Sequence, residues 1–219
     1  MEDNLIKFPD NRNYEYALNQ SFQLAAERLA KIENLDVLCI KSNSLCQWLE
    51  SGRVIVTEFL GRNYRIELPE LIFSVIDSGE EVPLKERVLI LHYLLEAMGT
   101  PLSNTLITFK EIPEGPVYFR TFTQRTIKHL VNNFSNQPQR LMESGKAFGA
   151  RKAEYGDMAI TIDAFKRVPI TLVLWMGDDE FPPEGNILYD STVTDYLPTE
   201  DIIILTETLI WRLVKAAAK

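Results

Sequence analysis

Apolar and polar residues alternate with a helical period in two parts of the N-terminal half. Between residues 13 and 32 the apolar side chains recur at steps of three and four, so they share one face of an amphipathic helix. Residues 83–98 repeat this spacing, and Gly99 followed by Pro101 is a strong stop signal. Residues 35–40 are short and apolar, and we predict that they enter a sheet.

Other ranges have a period of two, which predicts β-strands. Residues 53–60 and 63–68 are two such ranges, and Gly61 and Arg62 suit a two-residue hairpin turn between them. Glycine supplies the positive φ that the first position of this turn requires. Further strands are predicted over residues 158–162, 170–175 and 186–189.

The second half also contains helical patterns. They cover residues 117–134, a short range from Pro138 to Phe148, and a last range from Thr199 to about Val214. Thr199 is the expected N-cap of the last helix, with Glu200 and Asp201 at the positive end of its dipole. Helices and hairpins come in blocks, so we predict an α+β fold. It would be one domain over residues 1–219, an antiparallel or mixed sheet with helices packed on it.

The composition is that of an ordinary globular protein, but its charge excludes some partners. The 219 residues are 46% hydrophobic and 25% charged, and 31 acidic residues outweigh 23 basic ones to give a net charge of −8. This sign argues against a general binder of nucleic acid or of membrane surfaces. With two cysteines, the chain cannot form a disulfide framework, a four-cysteine iron–sulfur site or a four-cysteine zinc ribbon.

The N-terminal sequence and the apolar stretches predict a cytoplasmic location. The first residues are polar and acidic, without the basic start and apolar run of a secretory signal. The apolar stretches are too short to cross a bilayer or are interrupted by proline. We therefore expect Cys39 and Cys46 to be reduced thiols.

The net charge conceals two blocks of opposite sign. Residues 120–152 contain seven basic residues and one acidic residue, a charge of +6 that leaves −14 for the rest of the chain. Residues 154–201 contain eleven acidic and two basic residues, a charge of −9. The blocks could hold an anionic ligand and a cationic partner, or they could face each other or water.

Motifs for conventional catalysis are not recognisable. Residues 144–147 resemble the end of a phosphate-binding loop. However, Arg140 stands where that motif has its first glycine, and Ala147 stands where it has Ser or Thr. His92 and His129 lie on helical ranges away from any nucleophile elbow, so we interpret both as packed or solvated side chains. The spacing of the two cysteines and two histidines fits no zinc signature, so no metal site is predicted.

The most informative segment is 175–183, which combines three consecutive acids with aromatic and proline residues. Three adjacent carboxylates repel one another unless they are solvated, hydrogen-bonded to amides or paired with cations. One interpretation is a rigid turn in which Trp175 and Phe181 anchor in the core and the acids cap amides. The other is a recognition loop for a cation, a metal-bearing cofactor or a protein. The segment does not match the calcium-loop pattern.

Several stretches of the C-terminal third together form a recognisable signature: Tyr155-Gly156-Asp157 with Ala159, residues 167–175, residues 177–183, Leu188-Tyr189-Asp190, and residues 196–201. This signature resembles that of a prokaryotic family, the domain-of-unknown-function family 3786. The resemblance is strongest over residues 155–205, and its length suggests that the whole chain is this domain.

This resemblance implies an uncharacterised protein found mostly in anaerobes, with no assigned catalytic residues. Some longer members look like fusions to an iron–sulfur segment of the type found in corrinoid iron–sulfur proteins. This chain lacks the cysteine cluster, so no iron–sulfur cluster is implied. A corrinoid or a link to one-carbon metabolism is implied only by association.

We therefore expect a non-catalytic binding or accessory domain whose ligand is a small molecule or a partner protein. The predicted site residues are Trp175, Gly177, Asp178, Asp179, Glu180 and Phe181, with Asp190, Glu200, Arg120 and Arg125 as further contributors. One alternative is an enzyme that uses Asp178, Asp179, Glu180 or Asp157 as acid and base, assisted by a hard cation. Another is a purely structural subunit.

Overall fold

Blocks of helix alternate with antiparallel strands in the computed structural model, which describes residues 11–49, 52–76, 78 and 80–218. The helices are α1 (Asn11–Ala30), α2 (Leu35–Ser42), α3 (Leu84–Glu96), α4 (Gly115–Arg125), α5 (Ile127–Phe134), α6 (Gln139–Gly145) and α7 (Thr199–Ala217). The strands are β1 (Leu45–Leu49), β2 (Gly52–Phe59), β3 (Arg62–Leu68), β4 (Ile72–Val75), β5 (Leu106–Thr108), β6 (Arg151–Ala153), β7 (Met158–Phe165), β8 (Val168–Trp175) and β9 (Glu184–Asp190).

The nine strands within the described residues form one sheet in the order β4-β3-β2-β7-β8-β9-β5, with β1 beside β2 and β6 beside β7. All of these pairings are antiparallel, which confirms the predicted α+β class. None of the described helices is both long and apolar enough to cross a lipid bilayer.

A buried aromatic cluster joins the two halves of the sheet. Strands β2 and β7 pair at Phe59 and Phe165 alone, and the centroids of these two rings lie 4.8 Å apart. Tyr93 of α3 stacks on Phe165 at 4.0 Å, and Tyr196 stacks on Tyr93 at 5.9 Å. Side-chain packing therefore supplies the continuity that so short a strand pairing cannot give.

The prediction of a strand over residues 35–40 is wrong, because this range lies in helix α2. Asn34 caps the helix by accepting hydrogen bonds from the backbone amides of Asp36 and Val37. Asn43 ends it in the left-handed conformation, with φ of 52°. Both caps are typical helix boundary signals.

The single helix predicted over residues 117–134 is two helices, α4 and α5, that meet at Thr126. This residue is buried, and its hydroxyl donates a 2.6 Å hydrogen bond to the carbonyl of Phe122. Its backbone angles, φ −128° and ψ −75°, are not helical. The apolar period continues across the break, so periodicity alone does not reveal it.

Two predicted local details are also wrong. The β2–β3 hairpin turns at Leu60 and Gly61, not at Gly61 and Arg62, because Phe59 pairs directly with Arg62. Both turn residues have positive φ, 48° and 70°, which is the pattern of a type I′ turn. Thr199 is the first helical residue of α7 instead of its cap, and its hydroxyl donates to the carbonyl of Pro113.

Candidate functional site

Residues 176–183 form the loop of the β8–β9 hairpin, which we call the acidic loop. The hairpin closes with the pair Trp175 and Glu184, so the loop projects from the end of two central strands. At its base, Asp157 accepts a 2.7 Å hydrogen bond from the amide of Met176. The sheet therefore fixes where the loop begins and ends.

Asp178 holds the acidic loop in its conformation. Its Oδ1 accepts hydrogen bonds from the amides of Glu180, at 2.9 Å, and Phe181, at 2.7 Å. The amide of Asp178 in turn donates to the carbonyl of Phe181 at 2.9 Å. The hydrogen bonds from the Phe181 and Glu180 amides hold the pKa of the Asp178 carboxyl below its usual value. The Asp178 side chain therefore stabilises the backbone of its own loop.

Gly177 and two prolines stiffen the same loop. A Cβ atom at Gly177 would lie 2.7 Å from the nitrogen of Pro183 and 2.8 Å from the carbonyl oxygen of Phe181. Any larger residue at this position would push the two sides of the loop apart. Pro182 and Pro183 restrict φ in the returning segment.

Three apolar side chains around the acidic loop are exposed: Phe181 is 67% exposed, Met176 49% and Trp175 42%. The first interpretation of the segment, in which Trp175 and Phe181 anchor in the core, is therefore wrong on this point. Asp179 and Glu180 are exposed as well, and neither has an ion-pair partner among the residues that the structure describes. The loop presents apolar surface next to uncompensated negative charge.

Two shallow hollows flank these side chains. One, of about 410 Å³, lies between the loop and residues Ser135 and Asn136 after helix α5. The other, of about 290 Å³, is lined by Trp175, Met176, Phe181, Pro182 and Glu184. Both are open to solvent, so neither encloses the carboxylates as an acid–base site would require.

Asp190 lies at the opposite end of β9 from the acidic loop, about 20 Å along the strand from Glu184. It is buried and accepts five hydrogen bonds: from the amides of Ser103, Asn104 and Thr192, and from the hydroxyls of Ser103 and Thr192. Burial alone would raise its pKa, but these donors outweigh that effect and hold the pKa below its usual value. The structure does not bring Asp190 together with the loop.

Arg125 also takes part in a separate cluster. Its Nε and one terminal nitrogen donate to Glu207 of α7, at 3.1 and 2.6 Å, and Lys85 of α3 donates to the same carboxylate at 3.2 Å. Arg120 and Glu200 are exposed, without an ion pair in the described part of the chain. The predicted site residues therefore separate into the acidic loop with Trp175, one buried structural carboxylate, one arginine in an ion pair between helices, and the two exposed side chains of Arg120 and Glu200.

The basic and acidic blocks lie side by side. Helix α5 packs against β9 and α6 against β7, so the basic block is joined to strands of the acidic one. Arg151 makes a two-pronged ion pair with Asp163, at 2.7 and 2.8 Å, between β6 and β7. Part of the charge of the basic block is thus neutralised by the acidic block within the fold, whereas the carboxylates of the acidic loop take no part in this ion pair.

Cysteine and histidine form no metal centre in the described ranges, where no three His, Cys, Asp or Glu side chains are placed to hold an ion. Cys39 and Cys46 are free thiols. Burial raises the pKa of Cys39 to about 12, so this thiol stays protonated.

The sequence interpretation overlooked one constellation, a chain of hydrogen bonds that joins Ser21, His92 and Asp201. Ser21 Oγ lies 3.1 Å from His92 Nε2, and His92 Nδ1 lies 2.6 Å from Asp201 Oδ2. The three residues are 71 and 109 positions apart along the chain. One signal was available in the sequence. Ser21 is a polar residue that lies one helical turn before Ala25, on the face of α1 that is buried.

The chain matches a known family over most of its length. Residues 36–212 match the family described as Domain of unknown function (DUF3786). The chain belongs to the DUF3786 family. The DUF3786 match extends from α2 into α7, so it includes the whole sheet and the acidic loop. Comparisons with curated proteins and with solved structures give no significant match.

Proposed function

We propose that this DUF3786 protein is an accessory domain that docks a partner protein through the acidic loop and Trp175, and that the loop itself carries no catalytic group. The observation that carries the proposal is the exposure of Trp175, Met176 and Phe181 beside unpaired carboxylates on a braced loop. The partner surface would be an apolar groove bordered by lysine and arginine. We include the predicted cytoplasmic location in this proposal.

The residue types at the loop are those that dominate protein interfaces. Aromatic residues and methionine are enriched in interface cores, and a few such anchors carry most of the binding energy. Phe181 is 67% exposed, so about two thirds of its surface is available to a partner. Its position beside Trp175 makes one contiguous apolar surface, together with Met176 and Pro182.

Internal bracing of the loop favours binding as well. The two hydrogen bonds to Asp178 and the tight packing at Gly177 hold Phe181 in place before any partner arrives. A preorganised loop loses less conformational entropy on binding than a flexible one. Asp179 and Glu180 then add attraction toward a basic partner, which increases the association rate at low salt.

The open hollows favour a protein over a small molecule. Small-molecule sites bury most of the ligand surface, whereas both hollows at the loop are shallow. They do not fit an enclosed corrinoid, which could touch the loop with one face at most. The corrinoid association stays a prediction from the family resemblance, and no step of this proposal depends on it.

A second group of exposed apolar side chains offers a direct comparison. Ile40 is 74% exposed, Leu45 62% and Trp48 68%, on α2 and β1. The Trp48 ring is covered by the guanidinium of Arg53 at 3.7 Å, and no acidic run accompanies it. Trp48 matches Phe181 in exposure but not in charge environment, so it is the matched control.

Site-specific photocrosslinking tests the proposal. We would introduce p-benzoyl-phenylalanine at position 181 or at position 48 in native cells, irradiate them and identify adducts by mass spectrometry. We expect a discrete protein adduct at position 181 that weakens when extracts are irradiated at high salt, because salt screens the acidic loop. No protein adduct at position 181, or an adduct at position 48 alone, would overturn the assignment.

A further inference from the structure

A hydrogen-bonded chain of Ser21, His92 and Asp201 connects helices α1, α3 and α7. Ser21 lies in the middle of α1, His92 near the end of α3, and Asp201 in the first turn of α7. The contacts measure 3.1 Å from Ser21 Oγ to His92 Nε2 and 2.6 Å from His92 Nδ1 to Asp201 Oδ2. Both distances are within the reach expected for a nucleophile, a base and its orienting carboxylate.

The carboxylate fixes the direction of each hydrogen bond. An ionised Asp201 only accepts, so the proton of a neutral His92 ring must be on Nδ1. Nε2 then carries a lone pair and faces the Ser21 hydroxyl, which donates to it. This is the tautomer that a general base requires to take a proton from serine.

Two of the three side chains are partly exposed, and the third is buried. Ser21 is half-buried, the His92 side chain is 21% exposed, and the Asp201 side chain is 7% exposed. The nucleophile and the base can therefore be reached from solvent, whereas the carboxylate that orients the base is shielded. Low solvent exposure at Asp201 also strengthens its hydrogen bond to the imidazole.

We propose that Ser21, His92 and Asp201 form a nucleophilic acyl-transfer site that accepts small activated carboxylic esters. Ser21 Oγ forms a bond to the acyl carbon while its proton moves to His92 Nε2. The bond from that carbon to the leaving oxygen breaks, and His92 returns the proton to that oxygen. Water then attacks the acyl-serine by the same proton route and releases the carboxylic acid.

The site is distinct from the acidic loop and is inferred for this chain alone. His92 and Asp201 lie inside the matched range 36–212, whereas Ser21 precedes it. Its test is independent of the docking proposal, because no member of the triad belongs to the loop.

The test is covalent labelling of the purified full-length chain with a fluorophosphonate, which reacts with activated serines. Oγ attacks phosphorus, fluoride leaves, and the serine proton passes through His92. We expect one adduct on Ser21, none in Ser21→Ala, and a rate lower by about 100-fold or more in His92→Gln. Ser74→Ala and His129→Gln are matched controls that should label like the natural chain.

Asp201 acts through His92 as a positioning residue, so its test is rescue by the conservative variant. Asp201→Ala should label Ser21 about 10-fold or more slowly, and Asp201→Glu, which keeps a carboxylate that can accept from His92 Nδ1, should recover much of the natural rate. Circular dichroism establishes that each variant is folded. A folded natural chain without an adduct on Ser21, or a His92→Gln variant that labels at the natural rate, would overturn the proposal. The hydrogen bonds among Ser21, His92 and Asp201 would then serve only to link helices α1, α3 and α7.

Discussion

Asp190→Asn tests whether this carboxylate stabilises the fold instead of binding a ligand. In the structure, Oδ1 accepts from the amides and hydroxyls of Ser103 and Thr192, and Oδ2 accepts from the amide of Asn104 at 2.7 Å. Asparagine can keep one accepting oxygen, but its NH₂ group would then face the Asn104 amide. Two donors would point at each other in a buried site.

The expected cost follows from these contacts. A hydrogen bond to a charged group contributes about 1.5–3 kcal/mol, and an unsatisfied buried donor costs about 1–3 kcal/mol more. These terms overlap, so we expect a loss of about 3 kcal/mol in the free energy of unfolding. For a chain of this size that corresponds to a melting temperature lower by about 6–12 °C.

Differential scanning calorimetry of the natural chain and of Asp190→Asn measures this difference. Asp179→Asn is the control, because it removes the same charge from an exposed side chain and should shift the melting temperature by less than about 2 °C. If Asp190→Asn melts within 2 °C of the natural chain, the structural role assigned to Asp190 is refuted.

Three further outcomes follow from the same electrostatics. Since the folded pKa of Asp190 is lowered, its stabilisation exists above the unfolded value of about 3.9 and is lost as pH falls through the folded value. The free energy of unfolding, measured by urea titration, should therefore fall less between pH 6 and pH 3 in Asp190→Asn than in the natural chain. Glu207→Gln weakens contacts to Arg125 and Lys85, and denaturant titration should show a loss of about 1–3 kcal/mol. Burial raises the pKa of Cys39 to about 12, so this thiol should resist alkylation at pH 8 until urea unfolds the chain. Mass spectrometry measures the extent of alkylation, and rapid labelling of Cys39 in the folded chain would contradict this prediction.

The long periodic elements were predictable because their patterns are local. Strands β7 and β8 and helix α7 were all predicted from their local sequence patterns. Helix α2 was not predicted, because a short apolar range can form either a buried strand or a helix. Asn34 and Asn43 were the available signals for it, but their cap geometry depends on the folded backbone.

The candidate site was only partly predictable for a related reason. The acidic loop is contiguous in sequence, so its residues could be found without the fold, although the exposure of Phe181 could not. Asp190 resembled a site residue because three of its five donors come from Ser103 and Asn104, which are distant in the sequence. Ser21, His92 and Asp201 converge only when three helices pack, and no spacing rule brings them together.

The affinity of the crosslinked partner for loop variants tests the central claim most directly. With that partner purified, isothermal titration would compare the natural chain with Phe181→Ala and Trp48→Ala. We expect Phe181→Ala to weaken binding by about 10-fold or more, because Phe181 is the interface anchor, and Trp48→Ala to leave the affinity unchanged. Equal affinities of the natural chain and Phe181→Ala would contradict the assignment of the acidic loop as the docking site.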